Sequence, residues 1–366
     1  MEITLSVLKA DIGSIGGHIT PSKALLSRVE SYVQSEGSGL LIDYHVAHTG
    51  DDIALLMTHT NGADDETVHQ LAWNAFQEGT KTAKDQGLYG AGQDLLKDAF
   101  SGNVKGMGPA VAEIECAERP SEPFVLFMAD KTEPGAYNLP LYLTFADPMN
   151  TPGLILSPSL GEGFKFEILD IEHTEADRVI ELDAPEDLYD IAALLRDNGR
   201  FVVQSIYSKN SGEQAVACST TRLSKIAGKY VGKDDPVALI RTQKNFPATG
   251  EVLAPYRIGH YVAGFMRGSH NGPLMPVSQD DTVSFFDGPP IVSALAFSVK
   301  EGNLTEPVDV FDNSFWDEVR TKVSRKAQEM REQGFSGPAM LSYGELEYGG
   351  ITERMEGLDK EFEIRS

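Results

Sequence analysis

The chain has 366 residues, of which 41% are hydrophobic, and this content is sufficient for a packed globular core. Its 31 lysine and arginine residues against 55 aspartate and glutamate residues give a formal net charge of −24. This charge disfavours nucleic acids and acidic membrane surfaces as partners, because both would repel the protein. It leaves two interpretations open: an acidic solvated surface, or carboxylates that surround divalent cations.

The cysteines and the N-terminus favour a cytoplasmic protein. Cys116 and Cys218 have no neighbours at the spacing of a metal or redox motif. The N-terminus lacks the basic region of a secretory signal and reaches Asp11 before any long apolar run. No stretch approaches the roughly 18 uninterrupted apolar residues of a membrane span. We therefore expect reduced core thiols and no contact with a membrane.

The first hundred residues are predicted to contain strands and amphipathic helices. Residues 3–10 form a strand-like run that stops at a glycine-rich loop, and residues 21–37 have the proline and glycine boundaries of a helix. The runs at 39–48 and 52–60 indicate a hairpin that turns at Gly50. Apolar residues from Val68 onward recur at helical spacing, which predicts a helix from Asp65 towards residue 87. A short helix is expected after residues 89–92.

Strands predominate after residue 108. They are predicted at 110–117, 123–130, 164–172, 200–208, 214–220, 236–242 and 291–299, with helices at 185–199 and about 314–333. Because these helices do not alternate regularly with the strands, a doubly wound parallel fold is disfavoured. We expect an α+β protein with packed sheets and outer helices. The chain shows no repeat, linker or composition break, which favours one domain over residues 1–366.

Several aspartates fall at positions where predicted strands end or turn, and such positions usually present binding groups. They are Asp11, Asp51, Asp52, Asp130, Asp234 and Asp235. Hard cations such as Mg²⁺ take oxygen ligands, and sites with more than one ion are common in phosphoryl chemistry. A single aspartate in a turn is more often a turn former or a cap. The pattern alone leaves a metal site and solvated turns about equally open.

Other polar residues near these aspartates suit a phosphate ligand. Lys131 and Arg267 are candidates, as is the pair Gln243–Lys244, although a lysine beside an aspartate is also compatible with a weak surface ion pair. His18 closes the glycine-rich loop, where it either has a functional role or anchors the loop by a hydrogen bond. The phosphate-loop motif of nucleotide hydrolases is absent, which disfavours ATP or GTP hydrolysis.

Seven motifs follow one another along the chain: KADIGSIGGH, HTGDD, LYGAGQDLL, SGNVKGMGP, FMADKTEPGAYNLPLY, STTRLSKIAGKYVGKDDP and MRGSHNGPLMPV. Together they resemble the bifunctional fructose-1,6-bisphosphate aldolase/phosphatase family, over essentially the whole chain as far as ELEYGG. The resemblance implies a four-layer α-β-β-α sandwich and a homo-octamer. It also implies two reactions at one Mg²⁺-dependent site: condensation of dihydroxyacetone phosphate with glyceraldehyde 3-phosphate, then removal of the C1 phosphate to give fructose 6-phosphate.

The resemblance also implies site residues, each at the position where its motif occurs in this chain. Lys233 resembles the Schiff-base lysine, and Tyr230 resembles the residue that moves the proton during carbon–carbon bond formation. The implied magnesium ligands are Asp11, Asp51, Asp52, Gln93, Asp130, Asp234 and Asp235. The implied substrate contacts are His18, Tyr89, Gly102, Asn103, Lys131, Gln243, Lys244, Arg267, Asp287 and Tyr348.

The position of Lys233 raises a chemical question, since Asp234 and Asp235 stabilise its ammonium form and raise its pKa. A Schiff-base lysine must instead be neutral when it attacks a ketone. In an extended backbone Lys233 and Asp235 would share one face, with Asp234 on the other. We therefore expect the segment flanked by Gly228 and Gly232 to rearrange between the two reactions. The alternative is an ordinary turn before the strand at 236–242.

Two other functions stay open at this point. The first is a Mg²⁺-dependent sugar phosphatase without aldolase activity, which is disfavoured because all the residues implied for carbon–carbon bond formation are present. The second is a non-catalytic acidic protein that binds metal or mediates assembly. A non-catalytic function does not explain why Lys131, Tyr230 and Arg267 occur together.

Overall fold

The computed structural model describes residues 1–95, 108–173, 176–219, 221–222, 232–263, 271–282, 289–332 and 350–365. Within these ranges the helices are α1 Lys23–Glu36, α2 Glu66–Asp85, α3 Asn138–Phe145, α4 Gly153–Leu156, α5 Leu188–Leu195, α6 Thr249–Leu253, α7 Phe315–Glu332 and α8 Gly350–Asp359. Short 3₁₀ turns occupy Gln93–Leu95, Pro134–Tyr137 and Ala254–Ile258.

The longer strands are β1 Glu2–Asp11, β2 Asp43–Thr49, β3 Asp52–His59, β4 Ala110–Ala117, β5 Glu122–Asp130, β6 Phe164–Asp170, β7 Asp177–Ala184, β8 Phe201–Ser208 and β9 Gln214–Cys218. They are followed by β10 Thr221–Arg222, β11 Val237–Arg241, β12 Tyr261–Val262, β13 Gly272–Pro273, β14 Met275–Pro276, β15 Ile291–Lys300, β16 Asn303–Leu304, β17 Val308–Asp309 and β18 Glu363–Arg365.

The strands form two large sheets and one small one. The five-stranded sheet has the order β10-β4-β1-β3-β2, and its neighbouring strands are antiparallel. The eleven-stranded sheet follows the order β14-β15-β5-β11-β9-β8-β6-β7-β18, with β16 and β17 also paired to β15. The strands β12 and β13 pair separately. The large sheets and the helices confirm the expected α+β class.

Hydrophobic side chains on both faces of each large sheet are buried. Between the sheets, Leu5 and Leu56 of the smaller sheet belong to one cluster with Leu126 and Leu239 of the larger one. Burial of each such leucine side chain contributes about 1.5–3 kcal/mol. Because strand side chains alternate in direction, the neighbour of Leu126, Phe127, faces the opposite side.

The outer faces of both sheets are covered by helices. Val29 of α1 and Phe76 of α2 pack with Leu8 against the smaller sheet. Leu141 of α3 and Val319 of α7 belong to the cluster on the outer face of the larger sheet. Each large sheet therefore has helices on its outer face, and the expected four-layer order stays a prediction. The single-domain interpretation stays a prediction.

The sequence analysis missed several elements of the larger sheet and its helices. The strand β7 was missed because acidic residues interrupt its apolar alternation, and it lies next to the edge strand β18. The helix α3 was missed because apolar residues occupy nearly all of its positions and give no helical period. The C-terminal elements α8 and β18 were not predicted either. None of the helices in the described ranges is both long and apolar enough to cross a membrane.

A buried ion pair fixes the pairing of the central strands β5 and β11. Arg241 Nη2 lies 2.9 Å from Glu122 Oε2, and both side chains are fully buried. Arg119 also donates to Glu122, at 2.6 Å. Slippage of β11 along β5 by one residue would separate these charges inside the protein, which is costly. The pairing Val237 to Met128 therefore brings the segment before β11 to the end of β5, at Asp130.

Candidate active site

The sequence-predicted aspartates come together at one edge of the sandwich. In the smaller sheet, Asp11 ends β1 and lies opposite Asp52, the first residue of β3, while Asp51 lies in the preceding turn. In the larger sheet, Asp130 ends β5, and Asp235 lies just before β11. Because the two sheets pack face to face, the four strand ends place these carboxylates next to one another.

Two groups of side chains have the geometry of cation sites. One atom each from Asp11, His18 and Asp51 lies within 4.8 Å of the others. The same holds for Asp52, Asp130 and Asp235. The second group offers only carboxylate oxygens, which are the ligands that hard divalent cations prefer.

The charge balance of this edge of the sandwich, which we call the acidic edge, also fits bound cations. In the described part of the chain, seven carboxylates meet here, six of them buried and that of Asp235 half-buried: Asp11, Asp51, Asp52, Asp94, Asp130, Asp234 and Asp235. Three buried lysines, Lys9, Lys131 and Lys233, contact them. If all seven carboxylates are ionised, their excess of four negative charges over the lysines equals the charge of two divalent cations. Gln93 adds a buried side-chain oxygen for which the described residues provide no hydrogen-bond partner.

Burial makes ionisation of several of these carboxylates unfavourable. It raises the pKa of Asp94 and that of Asp130 to about 7 each. Burial and the neighbouring negative charges also raise the pKa of Asp11 and that of Asp235 well above their ordinary values. A cation bound among these side chains would reverse this effect, because it favours the ionised form. The residues present therefore fit a metal centre.

Asp51 is the exception, because it has two cationic partners. Burial opposes its ionisation, but Lys131 and His18 outweigh burial and hold its pKa below the ordinary value. Lys131 Nζ lies 3.2 Å from Asp51 Oδ1 and 2.6 Å from Asp130 Oδ2, so it bridges the two candidate cation groups. His18 Nδ1 lies 3.0 Å from Asp51 Oδ2.

Lys233 lies in the same network. Its Nζ is 3.0 Å from Asp234 Oδ1 and 3.4 Å from Asp94 Oδ2. Burial lowers the pKa of Lys233, but the neighbouring carboxylates outweigh burial and raise it above the ordinary value. Asp94 Oδ2 also accepts a hydrogen bond from the backbone N–H of Asp11 at 2.9 Å. One carboxylate thus links Lys233 to the end of β1.

The expectation that Lys233 and Asp235 share one face was wrong. Asp235 is not extended: its φ is +49°, its N–H donates to Thr132 O at 2.9 Å, and its carboxylate accepts from Thr132 N–H at 2.7 Å. Asp234, not Asp235, therefore contacts Lys233, while Asp235 joins Asp52 and Asp130. The alternation argument failed because this segment bends before the strand begins.

The turn between β2 and β3 brings the backbone of Gly50 against Asp130. Gly50 has a φ of +52°, a conformation that favours glycine. A Cβ atom at this position would lie 1.7 Å from Asp130 Oδ2, so no other residue fits without displacing that carboxylate. Glycine is therefore required for the two sheets to approach each other at the acidic edge.

The structure places the predicted substrate contacts in two different regions. His18 has a φ of +65°, and its ring lies edge-on to that of Tyr89 with centroids 5.0 Å apart, at the rim of the acidic edge. Gln243 and Lys244 are exposed and follow the other end of β11. At about 3.3 Å per residue β11 spans about 13 Å, and Asp235 and Gln243 lie beyond its opposite ends. The six predicted site residues Gly102, Asn103, Tyr230, Arg267, Asp287 and Tyr348 lie outside the described residues.

Sequence reasoning missed two charged residues of this network, Lys9 and Asp94. Lys9 lies two residues before Asp11, so the period of a strand puts both on one face, and a lysine in an otherwise apolar strand was a usable signal. Asp94 follows the predicted ligand Gln93, but no sequence pattern indicates its contact with Lys233.

Comparison with known proteins agrees with the resemblance noted in the sequence. A protein family described as "Fructose-1,6-bisphosphatase" matches residues 2–363. The chain is 60% identical over 362 residues to "Fructose-1,6-bisphosphate aldolase/phosphatase" of Thermus thermophilus, with 99% of this chain and 100% of the relative covered. Proteins of the same name from Cenarchaeum symbiosum and Methanothermobacter marburgensis are 52% and 48% identical, with 98% and 99% of this chain and 94% and 99% of the relatives covered.

These matches extend over nearly the full length of the chain and of each relative, so they include every strand end that contributes to the acidic edge. The chain therefore belongs to the fructose-1,6-bisphosphate aldolase/phosphatase family.

Proposed function

We propose that this protein catalyses two consecutive steps of gluconeogenesis in the cytoplasm. The first is aldol condensation of dihydroxyacetone phosphate with glyceraldehyde 3-phosphate to fructose 1,6-bisphosphate. The second is hydrolysis of the C1 phosphate to fructose 6-phosphate. The observation that carries this proposal is the position of Lys233, a potential amine nucleophile: it contacts Asp234, whose neighbour Asp235 belongs to a candidate cation group.

We assign Mg²⁺ as the cation of the acidic edge. The residues that would hold it are Asp11, Asp51, Asp52, Gln93, Asp130, Asp234 and Asp235. When bound, Mg²⁺ neutralises phosphate charge and activates water for phosphoester hydrolysis. Lys131 lies between the two candidate groups and supplies a fixed positive charge for the substrate phosphate. His18 and Tyr89 border the acidic edge, where they would contact the substrate.

For the condensation, we assign Lys233 as the nucleophile. Its neutral amine forms a bond to the ketone carbon of dihydroxyacetone phosphate, and loss of water leaves an iminium. Removal of a C3 proton then gives the carbon nucleophile that attacks the aldehyde, and hydrolysis of the iminium restores the lysine. Tyr230, which lies outside the described residues, is assigned to move the proton. This hydrolysis also releases the ketose product, fructose 1,6-bisphosphate. The water that it consumes balances the water lost when the iminium formed.

The described arrangement suits the phosphatase step, since the Lys233 ammonium is held by Asp234 and Asp94. Attack on a ketone requires Lys233 to leave these carboxylates and lose a proton. Gly232 has a φ of +77°, a conformation that favours glycine, at the base of the segment that begins at Gly228. We therefore retain the hypothesis that this segment rearranges between the reactions.

The distance of Gln243 and Lys244 from the acidic edge favours a site shared between subunits. Both residues follow the end of β11 that lies about 13 Å along the strand from the end next to Asp235, so their side chains are remote from a substrate bound at Asp235 of the same chain. We infer that Lys244 and Gln243 contact the substrate of a neighbouring subunit within the homo-octamer. Both residues have positive φ, +66° for Gln243 and +58° for Lys244, a strained geometry that is frequent at binding sites.

A phosphatase without aldolase activity remains the second candidate. In such an enzyme Lys233 would serve only as a counter-charge for Asp94 and Asp234. The full-length relatives, whose names give both activities, favour the bifunctional enzyme.

Lys233→Ala separates the two candidates. We expect this variant to lose condensation of triose phosphates and to give no borohydride-trapped adduct with dihydroxyacetone phosphate, because the amine is gone. Phosphate release from fructose 1,6-bisphosphate should stay within about 10-fold of wild type, since general positioning and cation binding persist. Lys165→Ala, which removes an exposed lysine on β6, is the control and should keep both activities. Equal loss of both activities in Lys233→Ala, or trapping that persists, would contradict the assignment.

Gly50→Ala tests whether close contact of the two sheets positions the cation ligands. The new methyl group must displace Asp130, so both activities should fall about 100-fold, as expected for a shift of about 1 Å in a catalytic group. Gly212→Ala is a matched control, because Gly212 also has positive φ, +72°, but has open space at its Cβ position. The control should retain activity within about 2-fold. A similar result for the two glycines would mean that the approach to Asp130 is unimportant.

Mixed assemblies test the shared site. Homo-oligomers of Lys233→Ala and of Lys244→Ala should each condense triose phosphates poorly. If Lys244 acts across a subunit interface, co-refolded mixtures place intact Lys233 and intact Lys244 together in about one quarter of the sites. We therefore expect about a quarter of wild-type condensation from an equimolar mixture. Activity no higher than the mean of the two variants would place Lys244 outside the neighbouring site.

A further inference from the structure

Lys9 is a buried lysine that neither the sequence analysis nor the proposed chemistry uses. It lies in the middle of the smaller sheet, on β1, and only 2% of the residue is exposed. Its Nζ donates to Asp52 Oδ2. Its strand neighbour across the sheet is Ala54, so the side chain reaches along β3 towards Asp52 rather than to the residue directly opposite.

The burial of Lys9 limits what it can do. An ammonium group removed from water is costly unless a carboxylate compensates it. Lys9 is buried on β1, and its Nζ donates to Asp52, which is a member of the candidate cation group with Asp130 and Asp235. A role in direct contact with a substrate phosphate therefore does not fit its position, whereas a role through Asp52 does.

Asp52 needs such support more than the other members of its group. Asp235 is held by the backbone of Thr132, and Asp130 is held by Lys131. Among the described residues, the ion pair of Asp52 is with Lys9. Without it, a carboxylate next to Asp51 would be free to rotate away from that like charge.

We propose that Lys9 is a positioning residue, a fixed cation that orients Asp52 so that this carboxylate joins Asp130 and Asp235 as a ligand for a divalent cation. The proposal rests on the cation site of the proposed function. It explains why a lysine lies inside an apolar strand: the ammonium holds one oxygen of Asp52, Oδ2, and the second oxygen stays available to a cation. Residues that hydrogen-bond to a metal ligand commonly orient it in this way.

Thermal unfolding with and without Mg²⁺ tests this role without any substrate. If Lys9 orients Asp52, Lys9→Met should bind Mg²⁺ more weakly than wild type, so Mg²⁺ should raise the Tm of the variant less than that of wild type. We expect the rise in Tm between EDTA and saturating Mg²⁺ to be at most half as large in the variant as in wild type. Lys9→Arg keeps the charge and should show the Mg²⁺ dependence of wild type. Lys165→Met, at an exposed ion pair with Glu181, should give equal small changes in both conditions.

A second readout is the phosphatase rate, which should fall about 10- to 100-fold in Lys9→Met and recover in part in Lys9→Arg. Lys9→Gln removes the charge but keeps a donor, and it replaces Lys9→Met if that variant does not fold. An equal loss in Tm with and without Mg²⁺ would show that Lys9 serves packing alone and would overturn the proposal. Absence of any Mg²⁺ effect on wild-type Tm would contradict the cation site itself, and the role of Lys9 with it.

Discussion

Burial of more carboxylates than the neighbouring lysines can neutralise is the constraint on which the site depends. Like charges inside a protein repel each other and lose the solvation of water, so such a cluster persists only with compensation. Lys9, Lys131 and Lys233 provide part of it, and we propose that bound cations provide the remainder. The same charge excess suits a phosphorylated substrate only when cations are present. Metal binding, substrate binding and the stability of this edge are therefore coupled.

The fold places these charges with few degrees of freedom. The Arg241–Glu122 ion pair fixes β5 against β11 at the end of the strands remote from the cluster, and Asp130 and Asp235 are positioned at the other end. Gly50 lets the turn of the smaller sheet approach Asp130. Strand ends thus carry Asp11, Asp52 and Asp130, whereas Lys233 lies with Asp234 and Asp235 in a bent segment beside Gly232. This division suits two reactions, of which one needs fixed charges and the other needs a lysine that changes partners.

Sequence reasoning predicted six of the seven aspartates of the cluster, all except Asp94, because charged residues at strand ends are visible in a single sequence. It also placed β5 and β11, whose apolar runs are continuous. It could not predict the contact of Asp94 with Lys233, which joins residues 139 positions apart. The direction of Asp235 was predicted wrongly because alternation assumes an extended chain. The separation of Lys244 from the acidic edge could have been predicted from the sequence. The predicted strand at 236–242 already puts Lys244 and Asp235 at opposite ends.

The account is tested most directly by locating cations in crystals of the protein grown with Mn²⁺ in place of Mg²⁺. Anomalous scattering identifies the metal without relying on activity. The account predicts Mn²⁺ peaks among Asp52, Asp130 and Asp235 and beside Asp11 and Asp51. If saturating Mn²⁺ leaves both groups empty, with the lysines as the sole partners of the carboxylates, the charge excess is not compensated by metal and the central claim is wrong.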